Sequence, residues 1–251
     1  MVRPHALTVI ACLATLFVTG CTSVPPDAGS MPSDPWEKLN RQTYAFNQTV
    51  DSYVLEPVAR GYTKIVPEPA REGVGNFFGN LREPRNVLNN SLQGKGEGAL
   101  VSVFRFLINT SFGLGGIFDV AGEVGGQPER PEDFGQTLAV GGTPNGPYFV
   151  VPCLGPSTVR DAGGLAVDWG TSPVTYLEND LVSWGMWGLD GVDFRAKMLP
   201  ATDLLKSAVD PYIMAREGYL STRRNAVYDG NPPLDLTVDE FEDEEDAEVR
   251  K

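Results

Sequence analysis

The segment RFLINTSFGLGGIFDVAGE, residues 105–123, is both strongly apolar and rich in glycine. A glycine inside a helix costs about 1 kcal/mol relative to alanine. Glycines at this density therefore predict close approach between helices, sharp corners, or both. The overlapping stretch 97–111 is apolar on almost every side, apart from Ser102, Arg105 and Asn109, whose spacing places them on one narrow helical stripe. A surface helix of a soluble domain normally shows the reverse proportion.

Two interpretations of this polar stripe are open on spacing alone. In the first, Arg105 is buried and paired with a carboxylate, such as Asp119, Asp133 or Asp161, while Asn109 caps a turn. In the second, the stripe faces a wet interior, and the apolar remainder of the helix faces core or lipid.

Helix start and stop signals on both sides of this segment predict a mostly helical body. Asp-Pro pairs at 34–35 and 210–211 each supply an N-cap followed by proline at the first helical position, and Asp180 is a further candidate N-cap. Glu56-Pro57 is expected to break the first helix, whereas the apolar run 148–151 could be extended. The predicted helices cover approximately 34–54, 58–66, 68–81, 84–93, 97–111, 157–169, 180–199 and 210–228.

The first 20 residues have the parts of a secretory signal, namely a basic start at Arg3, a short apolar stretch and small residues before Cys21. The apolar stretch is too short for a membrane-spanning helix, which needs about 20 residues. A small-small-Cys ending resembles the bacterial lipoprotein signal, in which the thiol is acylated and becomes the new N-terminus. We expect acyl groups on Cys21, followed by a Pro-, Gly- and Ser-containing tether over 21–33.

Composition excludes several kinds of catalytic and metal site. The chain's one histidine, His5, lies in the predicted signal, and Cys153 is the one cysteine expected beyond the anchor. A Ser-His-Asp triad, a His/Cys zinc site and an intramolecular disulfide therefore cannot form in the mature chain. We expect no catalytic residue, metal or cofactor, and we interpret Cys153 as a small buried residue.

The formal net charge of -13 argues against nucleic acid as a partner. Much of this charge lies in the C-terminal segment 231–251, which should be a disordered acidic tail because it has little apolar content. The predicted globular domain is then 34–230, long enough for a single domain with its own core.

Specific blocks of sequence follow one another along the body. They are DPWEKLNRQTYAFNQTVDSYVLEPVARGY (34–62), NFFGNLREPRNVLNNSLQG (76–94), RFLINTSFGLGGIFDVAGE (105–123), EDFGQTLAVGGTPNGPYFVVP (132–152), GPSTVRDAGG (155–164) and DPYIMAREGYLSTRRNAVYDG (210–230). In these blocks and their order the body resembles the MlaA (VacJ) family of outer-membrane phospholipid-transport lipoproteins. The acidic tail lies outside the blocks.

The resemblance implies an all-α, ring-like domain with a central amphipathic channel, held in the periplasmic leaflet of the outer membrane by the acyl anchor. It implies a passive route for phospholipids that have strayed into the outer leaflet, with a trimeric porin and a periplasmic carrier of the MlaC type as partners. No enzymatic chemistry is required. Two other classes stay open: an envelope lipoprotein that scaffolds porins without a lipid conduit, and a carboxylate- or Ser-Lys-type phospholipid hydrolase.

The resemblance also suggests roles for individual residues. A phospholipid path needs polar and apolar walls together, and Arg105 is a candidate phosphate contact. The first helix bears on channel opening in the family, so Phe46 and Asn47 are candidate gating residues. Arg160-Asp161 is expected to be a structural ion pair or cap. The candidate channel-lining residues are Ser102, Arg105, Asn109, Phe104, Leu107, Leu114, Ile117 and Phe118.

Overall fold

The computed structural model describes residue 25 and residues 28–233. The predicted signal, Cys21 and nearly all of the predicted acidic tail lie outside these residues. Within them the chain is mainly helical, with one two-stranded sheet, which confirms the all-α fold prediction.

The helices and strands follow one another with short connections. The α-helices are α1 (Glu37–Val50), α2 (Glu56–Ile65), α3 (Glu68–Leu92), α4 (Gly96–Ser111), α5 (Val120–Glu123), α6 (Phe134–Val140), α7 (Val159–Thr171), α8 (Asp180–Lys197), α9 (Leu199–Lys206) and α10 (Pro211–Val227). Strands β1 (Tyr148–Val151) and β2 (Gly155–Thr158) form an antiparallel hairpin in which Tyr148 pairs with Thr158. A 3₁₀ turn spans Pro173–Tyr176.

The expected break at Glu56-Pro57 is wrong, because the chain passes from α1 into α2 through a π-helical turn, Asp51–Leu55. Proline lacks an N–H and its ring clashes with the carbonyl four residues earlier. A π turn immediately before Pro57 changes the hydrogen-bond spacing where that clash would arise, so the helix continues. The turn is fixed to α8 by Arg195, whose Nε and Nη2 donate to the two oxygens of Asp51 at 2.6 and 2.7 Å.

Helices α3 and α4 form a helical hairpin at the centre of the described chain. The predicted segments 68–81 and 84–93 are one helix, with Pro84 inside it. Gly98 lets the two helices approach closely, because a Cβ at this position would stand 2.0 Å from Oδ1 of Asn90. The glycine therefore serves the close approach that the composition predicted.

The sheet carries the larger of two small apolar clusters in the described residues. Tyr148 and Val150 of β1 pack against Tyr212 of α10, with Tyr44, Tyr219 and Leu220 around them. Asp34 is buried beneath this cluster and is not the N-cap of α1, which begins at Glu37. Its Oδ2 instead accepts hydrogen bonds from the Tyr212 hydroxyl and from Nη1 of Arg216 at 2.5 and 3.0 Å.

The other cap predictions differ in outcome. Asp210 caps α10 as expected, because its Oδ1 accepts from the backbone N–H groups of Tyr212 and Ile213. Helix α8 is capped by Asn179 rather than by the neighbouring Asp180, and it ends at Lys197. Both residues are good caps, so the sequence alone leaves an uncertainty of one position.

Buried side chains in the described residues are mostly polar or charged, whereas large apolar side chains are abundant on the surface. An ordinary soluble domain has the opposite arrangement. Of the helices in the described residues, none has both the length and the apolar character needed to cross a membrane.

Candidate functional site

The polar stripe of α4 is closed off from solvent. Arg105 is 5% exposed, and Ser102 and Asn109 are also buried. The Nε of Arg105 donates to Oε1 of Glu83 on α3 at 2.7 Å, and its Nη2 donates to Oδ2 of Asp119 at 3.2 Å. This is the geometry of the first interpretation, a buried ion pair, and it does not place these three side chains on an open channel wall. Glu83, the fully buried partner, is not among the sequence-predicted partners.

Asp119 joins α4 to the short helix α5. Its Oδ1 accepts from Asn109 Nδ2 at 2.8 Å and from the backbone N–H of Gly122 at 3.1 Å, so it is the N-cap of α5. Burial opposes ionisation of this carboxyl, but these two hydrogen bonds and the charge of Arg105 outweigh burial and lower its pKa. Asn109 is fully engaged, since its Oδ1 also accepts from Ala121 N at 2.9 Å.

The other two carboxylates predicted as partners of Arg105 belong to a different cluster. Asp133 and Asp161 both pair with Arg223 of α10, at 2.6 and 3.0 Å. Asp161 also accepts from Nε of Arg160 at 2.9 Å, and its backbone N–H donates to Thr158. Of the two roles predicted for Arg160-Asp161, the structural ion pair is confirmed, whereas the N-cap of this helix is Thr158.

The apolar candidates around α4 lie on the opposite, exposed side of the polar stripe. They continue past the end of α4 into the loop 112–119, where Gly116 has φ +100° and packs against Asn80 so closely that a Cβ would stand 2.4 Å from it. The helix is therefore inverted, with its polar stripe inside and its apolar face outside. The exposed candidates are Phe104, Leu107, Leu114, Ile117 and Phe118.

The candidate gating pair lies beside the hairpin. Asn47 Nδ2 donates to the carbonyl of Val151 at 2.9 Å, and Asn47 Oδ1 accepts from the backbone N–H of Cys153 at 2.7 Å. Asn47 thus holds the hairpin turn against α1, and the gating role of Phe46 and Asn47 stays a prediction. The interpretation of Cys153 as buried is wrong: its thiol is exposed, because the residue lies in the turn with φ +63°.

A cavity of about 190 Å³ lies between α3, α7, the 3₁₀ turn and α8, and we call it the α3–α8 cavity. Its walls are largely apolar and include Phe78, Leu81, Trp169 and Trp187. It also contains two arginines and two aspartates.

The two arginines of this cavity differ in their partners. Arg82 pairs with Asp190 at 3.0 Å, whereas the Nε of Arg85 is buried without a hydrogen-bond partner. Asp168 accepts from the backbone N–H of Phe134 at 3.2 Å, and burial is the main cause that raises its pKa. Sequence reasoning missed this site, because the predicted helices 68–81 and 84–93 left Arg82 between them. In the single helix α3, Arg82 and Arg85 are three residues apart and share a face.

Known proteins match this chain over most of its length. Residues 32–226 match the family described as MlaA lipoprotein. The chain is 39% identical over 241 residues to the intermembrane phospholipid transport system lipoprotein MlaA of Escherichia coli strain K12, covering 92% of this chain and 95% of that protein. The protein of the same name from Haemophilus influenzae is 35% identical over 234 residues, covering 88% of this chain and 90% of that one.

A solved structure with a related helical arrangement supports the same assignment. It comes from work on the structural basis for maintenance of bacterial outer membrane lipid asymmetry, and it matches with a TM-score of 0.69 at 39% identity. The match covers 79% of this chain and 100% of that one. Sequence blocks, fold and close relatives thus agree, and the chain belongs to the MlaA lipoprotein family.

Proposed function

We propose that this protein provides a passive route by which mislocalised phospholipids leave the outer leaflet of the outer membrane and reach a periplasmic carrier. The single observation that carries the proposal is the inverted packing of α4, whose charged stripe is buried and whose apolar face is exposed. The names of the relatives in Escherichia coli and Haemophilus influenzae, which describe intermembrane phospholipid transport, support it.

The exposed apolar face is the feature that needs a lipid environment. Phe112 and Leu114 are 72% and 70% exposed, and Leu107 is 57% exposed on the same helix and its following loop. Exposure of apolar area to water costs about 25 cal/mol per Å², and acyl chains remove that cost. We therefore place this face against lipid tails in the periplasmic leaflet, with the acyl groups on Cys21 as a second attachment.

The buried charges explain how such a face can be held in place. With its apolar side chains turned outward, α4 cannot be fixed by ordinary core packing. The pairs that Arg105 makes with Glu83 and Asp119 hold it against α3 and α5 instead. A rigid frame of this kind can support a path with polar and apolar walls, which a molecule with a charged head and two apolar tails requires. We propose a trimeric porin and an MlaC-type carrier as the proteins at the two ends of this path.

The test is a deletion strain of the native host complemented with the wild-type chain or with Cys21→Ser. Phosphatidylethanolamine exposed on the cell surface is labelled with a membrane-impermeant amine reagent and quantified. We expect the deletion to raise the labelled fraction, the wild type to restore it and Cys21→Ser to fail. Cys153→Ser is the matched control and should restore it fully, because that thiol lies in an exposed turn.

Each alternative function has a distinct outcome in the same strains. A porin scaffold without a conduit predicts unchanged surface phospholipid in the deletion strain. A hydrolase predicts lysophospholipid or free fatty acid when the purified protein is incubated with phospholipid. Either result would contradict the proposed route.

A further inference from the structure

The guanidinium of Arg85 is the starting point, because it interacts electrostatically with Asp168 but has no direct hydrogen bond to it. The Nε atom is buried and has no hydrogen-bond partner, and Arg85 forms no ion pair within 4 Å with any residue the structure describes. Arg85 as a whole is half-buried, and Nε is the part of its guanidinium that is shielded without a partner. A buried N–H normally has a hydrogen-bond acceptor, so this unsatisfied donor calls for one. Its position in the wall of the α3–α8 cavity leaves room for that partner to be a ligand.

The two carboxylates of the cavity do not contact Arg85 directly, although the charge of Arg85 acts on Asp168 and opposes the effect of burial on its pKa. Asp190 is committed to Arg82, which donates to both of its oxygens at 3.0 and 3.2 Å. Asp168 receives its hydrogen bonds from the backbone N–H of Phe134 and from Asn89 rather than from an arginine. The cavity therefore contains one pair of opposite charges, Arg85 and Asp168, that interact without a direct hydrogen bond, and a zwitterion between them could contact both.

The size and walls of the cavity define how much of a ligand it can take. Its volume of about 190 Å³ is below the roughly 300–1,000 Å³ of pockets that enclose a drug-sized molecule. Trp169 and Trp187 stand in its walls, and tryptophan faces attract cations as well as apolar groups. A small charged group fits inside, and long acyl chains must remain outside.

We propose that the α3–α8 cavity binds the zwitterionic headgroup of a phospholipid, with its phosphate on Arg85 and its ammonium group on Asp168 beside the tryptophan walls. The proposal rests on the proposed lipid-transfer function and specifies the headgroup class. It predicts preference for phosphatidylethanolamine over anionic phosphatidylglycerol, because the latter has a phosphate for Arg85 but no cation for Asp168.

The experiment measures binding of short-chain lipids to the purified, acylated full chain in non-ionic detergent. Dihexanoyl-phosphatidylethanolamine, dihexanoyl-phosphatidylglycerol and inorganic phosphate are titrated separately, and tryptophan fluorescence is the readout because Trp169 and Trp187 line the cavity. We expect phosphatidylethanolamine to bind at least about tenfold more tightly than phosphatidylglycerol, the scale of one charge-assisted hydrogen bond. Inorganic phosphate should bind more weakly than both lipids.

Arg85→Gln should weaken both lipids by about tenfold or more, and Arg85→Lys should recover part of the loss. Because Arg85 makes no direct hydrogen bond or ion-pair contact in the lipid-free chain, Arg85→Gln should change the lipid-free melting temperature by little while losing the rise on adding lipid. Asp168→Asn should weaken phosphatidylethanolamine alone. Arg130→Gln, which removes an exposed arginine paired with Glu97, is the matched control and should bind both lipids normally.

Three results would overturn the proposal. Phosphatidylglycerol binding as tightly as phosphatidylethanolamine removes the zwitterionic assignment. Unchanged lipid binding by a folded Arg85→Gln removes the phosphate contact. Equal binding of inorganic phosphate shows a general anion site. If Arg85→Gln fails to fold, the wild-type preference and Asp168→Asn still decide whether the zwitterion binds here.

Failure of this proposal is distinguishable from failure of the transport function. A chain that lowers surface phosphatidylethanolamine in cells without headgroup preference keeps the transport function and loses the cavity assignment. A chain that binds the headgroup as expected but leaves the cell-surface lipid unchanged keeps the cavity assignment and loses the transport function.

Discussion

Helix α4 and the hairpin end of the molecule differ in the kind of side chain that each buries. At the hairpin, Tyr148, Val150 and Tyr212 form a buried aromatic cluster, and the surrounding polar groups anchor it. In α4 the buried face holds Ser102, Arg105 and Asn109, and the large side chains point outward. The hairpin end thus buries aromatic and apolar side chains, as a soluble domain does, whereas α4 buries ion pairs and exposes apolar side chains. Two regions of one chain therefore have different kinds of core, and under the proposed function the exposed face of α4 meets lipid rather than water.

The largest expected effect follows from breaking the buried pair of α4. Arg105→Ala leaves the fully buried Glu83 without its cation, which should cost about 3–5 kcal/mol of unfolding free energy. Thermal unfolding in detergent and cellular abundance measure the loss, and Glu83→Gln added to Arg105→Ala should recover part of it. Arg130→Ala is the exposed control, expected within about 0.5 kcal/mol of the parent. A stable, abundant Arg105→Ala protein would remove the structural role assigned to the pair.

A smaller effect is expected at the hairpin, where two tyrosines provide a matched comparison. Tyr212→Phe deletes the hydroxyl that donates to buried Asp34, so we expect a loss of about 1–3 kcal/mol. Tyr148→Phe deletes a buried hydroxyl that has no partner in the described residues and should be neutral or stabilising. The melting temperatures of the two variants measure these effects. Equal losses would contradict the prediction that only the Tyr212 hydroxyl stabilises the fold.

The acid dependence of stability should differ between two aspartates of α7. Burial raises the pKa of Asp161, but the hydrogen bonds and charge of Arg223 outweigh it, so its net pKa is lowered in the fold. Its contribution is complete above the unfolded pKa of about 4 and is lost as pH falls through the folded pKa. Asp161→Asn should therefore flatten the loss of melting temperature on acidification below about pH 4.

Asp168 provides the opposite sign on the same helix. Burial raises its pKa, so its ionisation destabilises the fold as pH rises above about 4. Relative to the parent, Asp168→Asn should gain stability over that rise. Melting curves from pH 3 to pH 7 measure both variants, and parallel profiles for the two would show that their surroundings do not differ as described.

The smallest effect on stability, and a clear effect on membrane binding, is expected on the outer face of α4. Leu107→Glu alters a 57% exposed side chain and should change the unfolding free energy by no more than about 0.5 kcal/mol in detergent. Flotation with phosphatidylethanolamine–phosphatidylglycerol vesicles should show reduced binding, measured in a Cys21→Ser background that removes the proposed acylation site. Leu154→Glu at the hairpin turn is the control, with similar exposure of 55%. Equal losses of vesicle binding for Leu107→Glu and Leu154→Glu would contradict the prediction that the α4 face, and not the hairpin turn, contacts the membrane.

Much of the fold could be predicted from the sequence because its helix signals are local. Asp210-Pro211 and Thr158 begin helices where expected, and the run 148–151 is a strand. The failures have non-local causes. Pro57 is accommodated by a π turn that Arg195 fixes from α8, and Asp34 is recruited to Arg216, so neither behaves as its immediate neighbours predict.

The candidate site was less predictable for the same reason. Spacing shows that Ser102, Arg105 and Asn109 share a face, but not whether that face meets water or Glu83 on another helix. Arg82 and Arg85 lie three residues apart on α3, yet Arg82 alone forms an ion pair with Asp190, which is more than 100 residues later in the chain. Pairing partners of this kind are set by tertiary packing, which local pattern does not encode.

The π turn at Asp51–Leu55 also bears on how this helix could tolerate changes of length. A π turn is an α-helix with one residue more than the regular repeat requires. Removing one residue from it would restore ordinary winding there, whereas the same deletion elsewhere would rotate every side chain beyond it by about 100°. Related chains whose first helix is one residue shorter could therefore lose that residue from the π turn. The exposed and buried faces of α1 and α2 would then keep their relative orientation.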